Sequence, residues 1–196
     1  MHPVTAERVE APLDAHHPTA VTPARFKAAL ADFASGVTIV TAVDTEEEDD
    51  VAMTATAFIS VALEPPLVLV SVGEGSRMYD LLQRQDLWAV SVLAHGQRHL
   101  ASRFAQRGRP SDRLLFADVP RHRGEQTGAF LLDGALTALE CRTQERVVAG
   151  DHILVVAQVL SIAHPSPAEP PLLYFRSRYR RLRERGQYDT PARHER

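Results

Sequence analysis

The chain has 196 residues, a net charge of −3 and a hydrophobic share of 44%, which suits one globular domain with tails. Its single cysteine, Cys141, excludes a disulfide framework and a cysteine-based zinc site. The slight negative charge gives no general attraction to nucleic acid, and no apolar run reaches the ~18 residues that a membrane helix needs. The N-terminus lacks a basic segment followed by an apolar one, so we expect no secretory signal and a cytoplasmic protein.

The chain begins with a polar stretch and then a first helix. Residues 1–21 carry three prolines and show no hydrophobic period, which predicts a flexible N-terminal tail. Thr22 and Pro23 form an N-cap followed by proline at the first helical position. Gly36 is expected to end this helix. Its predicted apolar face consists of Phe26, Ala29, Leu30 and Phe33.

Strands dominate the next stretch. A β-branched run and two further apolar runs predict strands over 37–43, 53–63 and 67–72. The first two strands are joined by a loop over 44–50, whose acidic run 46–50 we interpret as solvated. Pro65 and Pro66 end the second strand.

The second half mixes helices and longer strands. In chain order, the pattern predicts a helix over 76–85, a strand over 87–93, a helix over 97–105, a loop over 107–127, strands over 135–148 and 152–164, and a short strand over 172–175. The two long strands meet at a turn over 149–151, so they are antiparallel. The basic stretch 179–185 is interpreted as a solvated tail, and 186–196 as a C-terminal tail.

About seven strands with few helices predict a mainly β domain over 22–185. Long antiparallel strands favour a closed or half-closed β-barrel with flanking helices over a doubly wound sheet. The tails lie outside that domain.

One segment, 51–82, indicates a ligand. Residues 53–57 combine hydroxyls with very small side chains on a strand, so a flat ligand can approach the backbone closely. Arg77 falls in the first turn of the next helix, where free N–H groups already favour an anion. Together these features predict a nucleotide-like cofactor with a planar ring and a phosphate tail.

Several other kinds of site are disfavoured. Gly73, Gly75 and Met78 follow a strand and open a helix, but Met78 stands where a dinucleotide-binding fingerprint has its third glycine. There is no phosphate-loop motif and no nucleophile elbow. His95 and His99 have helical spacing without a third ligand, so we predict no metal site. His16 and His17 lie in the tail.

Seven separated segments together resemble the flavin reductase-like domain family, the reductase components of two-component flavin-dependent monooxygenases. They span about residues 23–182 and read, in order, FKAALADFASGVTIVTA, MTATAFISVALEPPLVLVSV, SRMYDLL, WAVSVLAHGQRHLASRFA, DGALTALEC, AGDHILVVAQV and PLLYFRSRYRRL. The resemblance implies a split β-barrel, a homodimer and a flavin, FMN or FAD, at the dimer edge. It also implies NADH or NADPH as hydride donor and a monooxygenase partner that receives reduced flavin, with no nucleic acid or membrane partner.

The resemblance also implies site residues. His152 matches a histidine beside the nicotinamide, and Arg103 and Phe104 match residues near the flavin phosphate. Tyr174 and Tyr179 match a C-terminal stretch near the bound nucleotide. The positions that match the rest of the flavin site are Asp50, Val51, Ala52, Met53, Thr54, Thr56, Ala57, Ser71, Val72, Gly73, Ser76, Arg77 and Met78.

Three functions remain to be separated. The first is an NAD(P)H-dependent flavin reductase, in which the cofactors carry the chemistry. The second is a non-catalytic barrel that holds flavin or haem; such a protein would not need His152 and the stretch 174–179. The third is a nucleic-acid binder that uses the arginines of 176–185, which the acidic run and the negative net charge disfavour.

Overall fold

The computed structural model describes residues 21–106, 112–166 and 169–182. The predicted tail over 1–21 therefore lies almost wholly outside the described residues. The same holds for the predicted tail over 186–196 and for His16 and His17.

The first two helices begin where the sequence predicts. The Thr22 hydroxyl accepts from the Arg25 amide (3.3 Å) at the first helix. The Ser76 hydroxyl accepts from the Tyr79 amide (3.1 Å) at the second and donates to the Gly73 carbonyl (3.0 Å). The described α-helices are α1 (Pro23–Leu30), α2 (Arg77–Arg84), α3 (Arg98–Phe104) and α4 (Asp112–Leu115).

Twelve strands are described, and seven of them form one antiparallel sheet. The strands are β1 (Ser35–Gly36), β2 (Thr38–Asp44), β3 (Asp49–Ala55), β4 (Phe58–Ala62), β5 (Leu67–Gly73), β6 (Leu87–Val92), β7 (Arg121–Arg123), β8 (Phe130–Leu132), β9 (Thr137–Ala149), β10 (His152–Ala163), β11 (Leu172–Phe175) and β12 (Arg178–Arg181). The large sheet has the order β3-β2-β6-β9-β10-β5-β4, and two small sheets have the orders β1-β11-β12 and β7-β8. The prediction of a mainly β domain with flanking helices is thus confirmed.

The sequence predicted a closed or half-closed barrel, and the described residues do not form a closed one. The strands β3 and β4 lie at opposite ends of the large sheet, and no strand pairing joins them within the described residues. The sheet is therefore open. Alternation and turn patterns predict individual strands well, but closure depends on pairing between distant edges, which local patterns do not encode.

Other differences from the sequence prediction are local. The strand expected over 53–63 is interrupted at Thr56 and Ala57, which separate β3 from β4. The loop expected over 107–127 contains α4 and β7. Part of the stretch interpreted as a solvated basic tail is strand β12, which pairs with β11.

The core lies on both faces of the large sheet. One buried cluster is centred on Trp88, Leu81 and Val155 between the sheet and α2. A second, centred on Phe104, Phe116 and Leu132, packs α3 and the β7-β8 region against the other side. On β3, Met53 and Ala55 pack in the first cluster and Ala52 in the second, so the strand lies between the two clusters.

Helix α1 does not bury its apolar side. Gly36 was expected to end this helix, but it ends at Leu30. Phe26 and Phe33 are 57% and 74% exposed, and Leu30 is also exposed. The predicted periodicity is real, but no described part of the chain buries these side chains.

Candidate functional site

A cavity of about 450 Å³ opens between β3, β5 and the ends of α2 and α3. This volume is in the range of small-molecule and cofactor sites. Alanine, serine, threonine and glycine make up more than half of its lining, and larger side chains such as Phe104 and His152 complete it. The lining residues are Ala52, Met53, Thr54, Ala55, Thr56, Ala57, Ser71, Gly73, Glu74, Gly75, Ser76, Arg77, Met78, Phe104, Ala105, Gln106 and His152.

The β3 wall is held at a defined distance from α3. The Thr54 hydroxyl donates to the Ala101 carbonyl (2.8 Å), which ties the strand to the helix. Its oxygen keeps acceptor capacity toward the cavity. After β3 ends, the Ala57 carbonyl accepts from the Ser71 amide (3.0 Å), so the small residues at the strand break stay at the cavity wall.

The start of α2 forms a second wall. Gly75 has φ of 75°, a left-handed conformation that glycine adopts without strain, and it turns the chain from β5 into the Ser76 N-cap. Arg77 follows at once. Its Nη2 atom lies 2.9 Å from Asp49 Oδ2 and 3.4 Å from Glu47 Oε2.

His152 closes the cavity beside Gly73. The two residues are paired in the β10-β5 register, and a Cβ added to Gly73 would lie 3.1 Å from His152 Nε2. The other ring nitrogen, Nδ1, lies 2.7 Å from Asp151 Oδ1. This hydrogen bond lowers the pKa of the Asp151 carboxyl and orients the imidazole with Nε2 toward the glycine.

The C-terminal end of α3 supplies Phe104, Ala105 and Gln106 to the cavity. Arg103 belongs to the same turn but is not among the cavity-lining residues. Its Nη1 donates to Asp118 Oδ1 (2.5 Å) and to the Leu115 carbonyl (3.1 Å). The hydrogen bond raises the pKa of Arg103 and lowers that of Asp118.

Tyr174 and Tyr179 lie in a different recess. They pack edge to face with ring centroids 5.5 Å apart, and the Arg98 guanidinium lies 5.8 Å from the Tyr179 ring centroid. The recess shares no lining residue with the first cavity; it is lined by Arg98, Ser102, Tyr174, Ser177, Arg178, Tyr179 and Arg180.

The structure thus brings most of the sequence-predicted site residues around one cavity. Val51 and Val72 are buried in the core behind it, and Asp50 binds Arg123 through both carboxylate oxygens. The prediction missed five lining residues, each within two positions of one it included. They are Ala55, Glu74, Gly75, Ala105 and Gln106.

The described part of the chain lacks a cluster of potential metal ligands, a membrane-spanning helix and a reactive cysteine. No group of three or more histidine, cysteine or acidic side chains there could hold a metal ion. None of the described helices combines the length and hydrophobicity needed to cross a bilayer. Burial raises the pKa of the Cys141 thiol to about 12, so this cysteine is an unreactive core residue.

The arrangement fits a planar ring with a phosphate tail. Small residues at 52 and 54–57 leave room for a ring near the backbone, and the helix start with Arg77 lines the same cavity. His152, beside Gly73, provides an imidazole that can contact a second ring. A flavin and a nicotinamide have these shapes.

Comparisons with known proteins identify the family. Residues 30–183 match the sequence profile described as "Flavin reductase like domain". The chain is 41% identical over 157 residues to the reductase component of 4-hydroxyphenylacetate 3-monooxygenase from Thermus thermophilus, covering 80% of this chain and 95% of that protein. It is 38% identical over 163 residues to an NADH-dependent flavin reductase from a Rhodococcus species, covering 83% and 88%.

Solved structures give the same result. An NADH:FAD oxidoreductase from Streptomyces globisporus, in complex with NAD and FAD fragments, superposes with a TM-score of 0.76 at 34% identity, covering 84% of this chain and 94% of that one. The flavin reductase component of a bacterial two-component tryptophan halogenase gives a TM-score of 0.75 at 37% identity, covering 82% and 98%. By its sequence profile, its relatives and its fold, the chain belongs to the flavin reductase-like domain family.

Proposed function

We propose that the protein is an NADH-dependent flavin reductase that supplies reduced FMN or FAD to a partner monooxygenase. The observation that carries this proposal is one cavity that joins the small-residue wall of β3, the start of α2 and His152. Relatives with NADH-dependent flavin reductase activity and reductase components of monooxygenases support it. NADPH as an alternative donor and a cytoplasmic location stay predictions.

When bound, flavin accepts a hydride from the reduced nicotinamide, so the cofactors supply the redox chemistry. The protein's task is to hold the two rings face to face at reacting distance, which lowers the barrier by several kcal/mol. The wall formed by 52–57 positions the flavin ring, with the Thr54 and Thr56 hydroxyls and nearby backbone groups as hydrogen-bonding partners. No protein group has to accept the hydride or exchange a proton with it.

His152 is proposed to contact the nicotinamide. Its Nδ1 is fixed by Asp151 and its ring lies against Gly73 at the cavity wall. The imidazole therefore contributes position rather than general-base chemistry.

Arg77 is proposed to bind the flavin phosphate. It lines the cavity and follows the N-cap of α2, where the helix dipole also favours an anion. Arg103 and the pair Tyr174 and Tyr179 were predicted to contact the phosphate and the nucleotide. These residues lie outside the cavity of a single chain, so their roles stay predictions. They require that a dimer brings the residues to the flavin site of the other chain.

A homodimer is also proposed, with the split-barrel form of the sheet that the family resemblance implies. Several large apolar side chains on the edge strand β4 and beyond it are uncovered. Leu63 is 88% exposed, and Ile59, Val61 and Ile162 are each about half exposed or more. Together with the apolar side of α1, these exposed side chains are the surface that a second copy is proposed to cover. Light scattering at micromolar concentration should show a dimer; a stable monomer would contradict this proposal.

The rival function is a barrel that holds flavin or haem without turnover. The His152–Asp151 pair at the cavity wall favours the reductase, because a passive flavin holder has no use for an oriented imidazole there. Mixing a small amount of the protein with an excess of NADH and FMN distinguishes the two functions. A reductase consumes NADH many times over, whereas a passive holder leaves the nicotinamide absorbance unchanged.

A further inference from the structure

The acidic run 46–50 is not simply solvated, because its carboxylates form ion pairs with three arginines. Glu46 pairs with Arg84 (3.2 Å). Asp50 pairs with Arg123. Of the three arginines in this network only Arg77, the partner of Glu47 and Asp49, lines the cavity.

Asp49 is held in place as a partner of Arg77. Its Oδ1 accepts from the Asp50 amide (2.9 Å), which leaves Oδ2 directed at Arg77 Nη2 (2.9 Å). The Asp49 side chain is only 21% exposed, whereas Glu47 is 66% exposed and lies farther from the guanidinium. Asp49 is therefore the closer and better-held partner of Arg77, and Glu47 the more exposed one.

A phosphate that approaches Arg77 meets these carboxylates. It must displace Asp49 from Nη2 or bind a neighbouring N–H of the guanidinium while facing a like charge a few ångströms away. Like charges at that distance repel each other, even where solvent screens them. The Arg77 side chain is 38% exposed, so either exchange can occur without unfolding the helix start.

We propose that Asp49, assisted by Glu47, is a built-in competitor for the flavin phosphate at Arg77, and that it keeps the flavin exchangeable. This inference rests on the proposed phosphate role of Arg77. It identifies Asp49 as a residue that sets flavin affinity, and it assigns the flavin to the class of released substrates rather than tightly bound prosthetic groups. Such release is what delivery to a partner enzyme requires.

The test compares FMN with riboflavin, which carries the same ring but no phosphate. Dissociation constants are measured by flavin fluorescence for the wild type, Asp49→Asn, Glu47→Gln and Glu46→Gln. Glu46→Gln is the matched control. It removes the same charge from the same loop, but Glu46 pairs with Arg84 and not with Arg77. We expect Asp49→Asn to bind FMN about threefold to tenfold more tightly, Glu47→Gln to show a smaller gain, and riboflavin affinity to stay constant throughout.

An Arg77→Ala variant separates the two levels of the proposal. If it loses FMN affinity while Asp49→Asn and Glu47→Gln gain none, the phosphate role stands and the competitor inference is overturned. If Asp49→Asn weakens FMN binding, Asp49 positions Arg77 instead, which also overturns it. If Arg77→Ala binds FMN and riboflavin as the wild type does, the phosphate lies elsewhere and the inference is overturned with it. The reductase activity itself is judged separately, by NADH consumption.

Discussion

Glu140 and Arg77 are both charged side chains with several polar partners, but they lie in different kinds of surroundings. Glu140 is buried in β9, and its Oε1 accepts from the amides of Gln126 (2.9 Å) and Thr127 (2.8 Å) and from the Thr127 hydroxyl. Its Oε2 accepts from the Ser161 hydroxyl (2.6 Å). Arg77 instead meets carboxylates at a solvent-accessible cavity wall.

The difference separates a structural charge from one available to a ligand. Glu140 is enclosed so tightly that a Cβ on Gly124 would lie 2.2 Å from Oε1, and two of its donors are backbone amides that cannot turn away. The carboxylates that Arg77 meets, those of Asp49 and Glu47, are on side chains, which can change partner when an anion arrives. We therefore expect changes at Glu140 to alter folding and changes around Arg77 and His152 to alter ligand binding.

The largest expected effect is on stability. Glu140→Ala leaves buried amide and hydroxyl donors without an acceptor and should lower the free energy of unfolding by about 2–4 kcal/mol. Glu145→Ala, an exposed change in the same strand, is the matched control and should cost little. Urea unfolding followed by circular dichroism measures both. A loss for Glu140→Ala as small as that of the control would mean that the buried carboxylate is not structural.

Next in size is the loss expected for His152→Ala. Removing the imidazole should raise KM for NADH and slow hydride transfer about tenfold to a hundredfold, with flavin affinity nearly unchanged. His122 provides a matched control, because its Nδ1 also lies 2.7 Å from an aspartate, Asp133, outside the cavity. His122→Ala should leave the kinetics as they are. Poor flavin binding with normal NADH use in His152→Ala would reverse our assignment of the two cavity walls.

A smaller effect is expected for Gly73→Ala. The new methyl group would lie 3.1 Å from His152 Nε2, so the ring has to move by a few tenths of an ångström. We expect kcat/KM for NADH to fall about threefold to tenfold, since small displacements of a positioning group are costly. Gly96→Ala, where the added Cβ meets nothing within 4 Å, should be neutral. Equal behaviour of the two variants would show that the His152–Gly73 contact is unimportant.

The smallest effect concerns acid stability. Burial acts to raise the pKa of Glu140, but the hydrogen bonds from Ser161, Thr127 and Gln126 outweigh it and hold the pKa below its ordinary value of 4.5. The folded state therefore binds fewer protons than the unfolded state in this range, so the stabilisation is complete above pH 4.5 and disappears as pH falls through the folded-state pKa. The wild type should lose stability more steeply below that pH than Glu140→Gln in a series of urea titrations. Parallel curves would contradict this linkage.

Local features of the fold were predictable from the sequence. Thr22 with Pro23, the Ser76 N-cap and the turn over 149–151 are determined by neighbouring residues, and the structure confirms them. The interruption of the predicted strand at Thr56 and Ala57 was not, because it depends on the Ala57 carbonyl accepting from the Ser71 amide of another strand. The exposed side of α1 and the pairing of β12 likewise depend on distant surfaces.

The candidate site was predictable to a similar extent. The segments around 53–57, 73–78 and His152 were identified by composition and by family resemblance, and the structure places them at one cavity. The partners of the two phosphate-binding candidates could not be anticipated. Arg77 meets Asp49 and Arg103 meets Asp118 only through tertiary packing, so the sequence indicated the cations but not the carboxylates that compete for them.

The most direct test of the account is anaerobic turnover with flavin in large excess over protein. Protein, NADH and FMN are mixed without oxygen, and the solution is passed through a membrane that retains the protein. The account predicts that reduced flavin forms far beyond the amount of protein and is recovered in the filtrate, with one NADH consumed for each flavin. Reduction limited to one flavin per chain, or reduced flavin retained with the protein, would contradict it.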